Sequence, residues 1–342
     1  MKKNVLFLVT ALMAVGSAAK AQETTKTDQA IDYIPDISLD TRFGYDHNFT
    51  DKAGSFLGDG LYLDINGYIS PHFSYSLNHR LASSYYGDEI TGFGATNWLT
   101  LSYERDAFCI TAGKDALLVG SFEYDAYDLD SYYSMNSGFY NTLECWQWGV
   151  SATWYPAEDH SLAFQVANSP LAAGRPGMYA YNLAWRGTAD FYESYWSLNL
   201  WEHSKGEFVK AINLGNSFTF GPFTLDYELM IRGDKWNGLD FSDFTTIIAP
   251  SVMIGDWGRA FAKIGYEKTA DDLAYELSYG GEYTFYGAGF EYFPLKENQD
   301  VRLHAAWSSN NLDMHMLNIG LTWKFGITKT VKNILSKSGK NL

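Results

Sequence analysis

The sequence predicts an all-β chain closed into a transmembrane antiparallel barrel of about sixteen strands, with its third extracellular loop folded inward. Three observations carry that prediction. Apolar and polar residues alternate with period two in segments of about ten residues along nearly the whole chain, the length and pattern of strands that cross a bilayer. The joins between segments alternate between short and mostly longer. Aromatic residues make up 17% of the chain and charged residues only 19%, against a usual charged share of about 25%.

Taken from the N-terminus, Met1-Lys2-Lys3, an apolar run from Val5 to Val15 and Ala19-Lys20-Ala21 have the order of a secretory signal peptide, with cleavage expected after Ala21. Its loss removes Lys2, Lys3 and Lys20 and no acid, lowering the formal charge from −15 to −18. Such an acidic exported chain is a poor nucleic-acid partner, because phosphate-binding surfaces need clustered Lys and Arg. Residues 22–34 are expected to be a periplasmic N-terminal segment, 35–325 the barrel and 326–342 a basic periplasmic tail.

Strands are predicted at 35–45, 60–69, 72–81, 93–104, 107–114, 143–155, 161–168, 179–186, 191–202, 209–220, 223–232, 244–254, 259–269, 281–293, 301–308 and 315–325. Short joins such as Arg105-Asp106 and Gly221-Pro222 fall after the even-numbered strands, as for periplasmic turns of a barrel whose chain ends both lie in the periplasm. Longer joins are predicted at 46–59, 82–92, 169–178, 233–243 and 270–280, and the longest at 115–142.

Facing follows from alternation. In the sixth strand Trp146, Trp148, Val150, Ala152 and Trp154 share one side and Gln147, Gly149, Ser151 and Thr153 the other. In the eleventh, Phe223, Leu225, Tyr227, Leu229 and Ile231 oppose Thr224, Asp226, Glu228, Met230 and Arg232. Charges point to one side only, and a charge on a lipid face costs up to several kcal/mol near the midplane, about 2–4 for Arg or Lys, so the polar side is read as the lumen. The lumen charges are then Arg42, Arg80, Lys114, Arg186, Arg232, Lys263, Arg302 and Lys324, with Asp226, Glu228 and Glu291, and further acids at Asp40, Asp64, Glu193 and Glu267. Cys109 and Cys145 fall several residues apart along neighbouring strands, beyond the Cα separation a disulfide allows, so two free thiols are expected.

The join 115–142 is too long for a hairpin loop and too rich in Tyr, Phe and Leu to lie in water, so it is expected inside the barrel. There Glu123, Tyr124, Asp125, Asp128, Asp130, Tyr132 and Tyr133 are the candidate constriction residues. With Gly113-Lys114-Asp115-Ala116, Gly120-Ser121-Phe122-Glu123-Tyr124-Asp125, Gln147-Trp148-Gly149-Val150 and Asn168-Ser169-Pro170-Leu171, the chain resembles the porin O and P-like family, the phosphate-selective porins, in a divergent form. The resemblance implies a sixteen-stranded barrel in the outer membrane of a Gram-negative-type bacterium, usually a homotrimer, that passes small hydrophilic solutes or ions passively and contacts outer-membrane lipids. Phosphate would want an inward ladder of Arg and Lys, whereas the basic residues here are matched by inward acids and the expected eyelet is mixed or acidic.

Sharper chemistry finds little support. Asp125, Asp128 and Asp130 do not match a calcium loop. His47, His72, His79, His160, His203, His304 and His315 are scattered, with no zinc spacing, Ser/His catalytic pairing or nucleotide fingerprint, so no cofactor, metal or enzymatic activity is expected. Two other readings stay open: a non-conducting structural or ligand-binding barrel plugged by 115–142, and an exported soluble sandwich with glycan-binding aromatics. The tail's shortness favours disorder over a weak basic amphipathic turn touching anionic surfaces.

Overall fold

The computed structural model describes residues 32–82, 92–132, 135–172, 175–234, 241–270, 275–295 and 299–337. The expected signal peptide and most of the expected N-terminal segment lie outside them. Sixteen strands form one closed barrel in which each pairs antiparallel with its sequence neighbours. They are β1 (Asp36–Asn48), β2 (Ala53–Ser70), β3 (Phe73–Ala82), β4 (Thr96–Arg105), β5 (Phe108–Ala116), β6 (Trp146–Ala157), β7 (His160–Asn168), β8 (Tyr179–Ala189), β9 (Tyr192–Ser204), β10 (Glu207–Phe220), β11 (Phe223–Gly233), β12 (Phe244–Ile254), β13 (Gly258–Thr269), β14 (Gly281–Tyr292), β15 (Val301–Asn310) and β16 (His315–Gly326). Closure runs from Ser38 opposite Gly326 to Asn48 opposite Met316. Among the described residues no sheet edge is left to pair with another chain.

One end of the barrel carries tight turns. Asp106, Asp190, Gly221 and Gly255 there take left-handed φ values of 53°, 45°, 59° and 55°, a region open to Gly and tolerated by Asp. The other end holds the longer joins, with three exceptions. The predicted long loop 46–59 is instead a hairpin, since β1 continues to Asn48 and β2 already starts at Ala53. Its glycines hid the strand, and the register shifts where the partners pass from Gly60 to Gly58. Lys205-Gly206 and 311–314 are also tight.

The outer wall is apolar around the barrel, with Phe43, Leu101, Ile110, Val150, Phe164, Leu198, Ile264, Trp307 and Ile319 all exposed. A continuous band of that kind is far larger than the patches water tolerates, and suits lipid. The opposite side of the same strands is polar and buried, as at Asn78, Asn182, Asn199, Asn213 and Glu228. Val150→Arg, on the outer face near mid-strand, is expected to cost about 2–4 kcal/mol of barrel stability, and Ser151→Arg on the lumen face much less. Urea titrations of the protein refolded into vesicles measure both, and equal costs would contradict the assigned facing.

The chain after β16 is a helix, which corrects the expectation of a disordered tail. Thr328 Oγ1 donates to Pro35 O at 2.7 Å and accepts the Ile37 N–H at 3.0 Å, and Lys332 pairs with Asp32. That ammonium, with the Ile34 N–H, holds the Asp32 carboxyl below the usual carboxylate range. Tertiary ties of this kind stabilise a helix too short to persist alone in water. Cys109 and Cys145 form no disulfide and are both partly buried, as expected from their offset.

Candidate functional site: the lumen and its infolded segment

Between β5 and β6 the chain turns inward. The first step is a close approach to β9, where a Cβ at Gly120 would stand 2.5 Å from Ser197 N and Trp196 C. Only glycine lets the two backbones meet there, and the Gly120 N–H then reaches Ser197 Oγ at 2.8 Å. Ser121 caps α1 (Phe122–Asp125) and Ser137 caps α2 (Gly138–Thr142), each accepting from a backbone N–H three residues on, which satisfies donors a short buried helix would leave orphaned. A 3₁₀ turn at Asp128–Asp130 lies between them. Gly120→Val is expected to lift the segment off β9 at about 1–3 kcal/mol, the usual cost of overpacking. Limited proteolysis of the refolded protein reads the lift as new cleavage within 117–145, and an unchanged digest would rule it out.

The segment is anchored right round the wall. Arg42 on β1 donates to Leu129 O at 2.9 Å and Ser131 O at 2.8 Å and stacks over Tyr132. Tyr127 lies beside Tyr62 on β2, and Gln165 on β7 accepts from the Leu118 N–H and donates to Ala116 O. Arg186 on β8 pairs with Asp125 at 2.8 Å and with Glu193 at 3.6 Å. Tyr132 stacks on Phe261 of β13 and meets His304 of β15 edge-on, while Arg302 pairs with Asp130.

Two ion clusters hold the centre. Lys263 Nζ lies 2.6 Å from Glu123 and donates to Asn136 at 3.0 Å, while Glu123 accepts from the Ser137 N–H and hydroxyl. The Glu123 N–H in turn donates to Glu228 at 2.9 Å. Beside them Arg232, fully buried, donates to Asp243 through Nη2 at 2.8 Å and Nε at 3.1 Å and to Thr245 at 2.9 Å. Its guanidinium lies 4.7 Å from the Phe139 ring centroid, and Glu267 stands 3.7 Å away. Charges removed from water persist only when paired and hydrogen-bonded, and the network supplies both to Glu123, Lys263, Arg232 and Asp243.

Toward the end of β9 to β14 that carries the longer joins, the interior is apolar. Leu117, Val119, Phe139 and Leu143 of the segment pack with Trp201, Val209, Met230, Ile247, Tyr283 and Phe285 of the wall, and with Tyr275 and Leu277 above. Nearer the tight-turn end the basic members of the ion pairs are partly exposed and the acids buried. Arg259 pairs with Glu291 at 2.8 Å and Lys324 with Asp40 at 3.5 Å, and Asp226 lies on the same inward face of β11 as Glu228.

Of the predicted lumen charges, Arg42, Arg80, Arg186, Arg232, Lys263, Arg302, Lys324, Asp226, Glu228 and Glu291 face inward by register, and Arg80 stacks over Tyr62. Lys114 does not. It pairs with Leu99 on one side and Trp148 on the other, both on the outer face, and its ammonium donates to Phe93 O at 2.8 Å. Gly113, at φ 139°, carries the inward place instead. Among the constriction candidates, Glu123, Asp125, Asp130 and Tyr132 bind the wall, Tyr124 lies beside Phe139 and Tyr140, Asp128 belongs to the 3₁₀ turn, and Tyr133 lies outside the described residues. Arg259, Asp243 and the inward apolar residues escaped the sequence reading. Arg259 shares the parity of Lys263, a signal that was there to be used.

No protein-family model matches the chain, and no curated protein does. Solved structures of similar shape are porins. A triple mutant of Rhodopseudomonas blastica porin is 13% identical, with a TM-score of 0.58 over 85% of this chain and 100% of that one. A form of Rh. blastica porin with five substitutions gives 12% and 0.59 at the same coverages. At such identities the likeness is one of fold: the chain is a porin-type barrel of sixteen antiparallel strands.

Proposed function

We propose that the chain is an outer-membrane diffusion channel for small hydrophilic solutes or ions, its bore set by the infolded segment and its preference by the lumen charges. The observation that carries this reading is the polar inward wall of a closed barrel, narrowed from inside by a segment tied to that wall. The charges occur largely as opposite-sign pairs, Arg186 with Asp125 and Glu193, Arg259 with Glu291, Arg302 with Asp130 and Lys324 with Asp40. Paired charges offer no continuous cationic ladder, so weak ion selectivity fits better than phosphate selectivity. Assembly as a homotrimer belongs to the same proposal.

A second reading, the non-conducting plugged barrel, is favoured by one specific observation. The segment touches the wall on most sides of the barrel and builds an apolar core against β9 to β14. Single-channel recording in planar bilayers under a salt gradient separates the two. Discrete openings with a reversal potential near zero are expected for the channel, and a silent protein that is nonetheless inserted would favour the plug.

A further inference from the structure

We propose that the C-terminal helix α3 (Ile327–Lys337) is a lipid-surface element, its apolar side seated in the periplasmic leaflet and its polar side turned to the barrel mouth. This inference rests on the outer-membrane reading above. The helix starts directly after Gly326 of β16 and is fixed at the rim by Thr328 and Lys332, so its orientation is not free. At about 100° per residue, Lys329, Lys332, Asn333 and Ser336 share one side, and Ile327, Val331 and Ile334 the opposite one, with Leu335 flanking.

The polar side has an assigned direction. Lys329, Lys332 and Asn333 line a cleft of about 450 Å³ together with Asp36, Asn66 and Tyr68. Asp36 pairs with Asn66, and by alternation both lie on the side of β1 and β2 that carries Asp40 and Asp64, so this side of α3 looks toward the barrel mouth. The apolar side therefore looks outward, where Val331 is 43% and Ile334 62% exposed. Trp323 and Phe325, on the outer face at the foot of β16, are exposed beside it. An apolar helix face continuous with an apolar barrel belt fits the headgroup–acyl boundary.

The lysines serve the rim instead. Lys332 pairs with Asp32 and Lys329 lies 4.0 Å from Asp300, so lipid contact falls to the apolar side.

The test uses nitroxide labels on the refolded full chain, in a Cys109→Ser, Cys145→Ser background. Single labels at Ile334→Cys, Ser336→Cys and Val150→Cys are compared in vesicles of zwitterionic lipid. Relaxation by oxygen reports lipid, and relaxation by an aqueous nickel chelate reports water. The label at residue 334 is expected to favour oxygen and that at 336 the chelate, with a several-fold difference in their ratio. A chelate-accessible label at 334 beside an oxygen-accessible one at 150 overturns the proposal while leaving the barrel inserted. A chelate-accessible label at 150 defeats the membrane reading itself. Because Ile334 already faces outward, its replacement leaves the fold intact.

Discussion

Excision of residues 122–135 is expected to raise single-channel conductance several-fold. The removed stretch carries α1, the Asp128–Asp130 turn and Tyr132, the parts that reach Arg42, Arg186, Phe261 and Arg302 on different walls. Ser137 Oγ already meets Glu123 at 2.5 Å, so the cut ends lie near one another and rejoin without stretching the barrel. Leu117, Val119, Phe139 and Leu143 remain to fill the apolar core against β9 to β14. The deletion takes away Glu123, the partner of Lys263, so Lys263→Met is added to avoid leaving a half-buried ammonium short of its counter-charge. A parent that already conducts and a deletion that conducts more identify a channel. A silent parent and a conducting deletion identify a plug. Unchanged conductance would show that the segment does not stand in the path.

The fold was legible because a bilayer-spanning strand imposes two constraints at once, length and strict alternation, and both survive in single segments such as Trp146–Ala157. Where glycine dilutes the alternation, as at Gly54, Gly58 and Gly60, the start of the second strand reads as loop and the strand is expected only from residue 60, although it begins at Ala53. The C-terminal helix escaped for a different reason. Its stability comes from contacts across the whole chain, Thr328 to Pro35 and Lys332 to Asp32, and no local propensity reports those.

The site was legible in outline, because alternation assigns a face to each charge. It failed at Lys114, where parity had to be carried past Gly113 to a strand end and the paired residues are Leu99 and Trp148. The lysine tolerates that face by placing its ammonium on Phe93 O, as long basic side chains near a membrane rim can. Which partners meet inside the barrel was not legible at all. Glu123 and Lys263 are 140 residues apart in sequence yet 2.6 Å apart in space, and only the infolding brings them together. The inward apolar residues Trp201, Met230, Ile247 and Phe285 interrupt a polar face, and they are the half of a core whose other half is the segment.

Arg232→Met is expected to destabilise the folded barrel by about 3–5 kcal/mol, the cost of leaving a buried charge without its partner. The side chain is fully buried, and its removal strands Asp243 and Glu267, both inaccessible to water. Glu267 also accepts the Phe139 N–H at 3.1 Å and the Thr245 hydroxyl at 2.7 Å, so the loss reaches the infolded segment as well as the wall. Methionine fills much of the arginine's volume, which separates the charge effect from a cavity. Arg232→Lys should recover little, because the double contact to Asp243 and the stacking on Phe139 both need a planar guanidinium. Combining Arg232→Met with Glu267→Gln should recover part of the loss, since one of the two stranded charges is then gone. Urea unfolding in vesicles gives the energies, and current noise in bilayers reports loosening of the segment. A loss below about 1 kcal/mol, the range of solvent-exposed pairs, would mean that water reaches this cluster and that the interior beside β11 to β13 is open rather than packed.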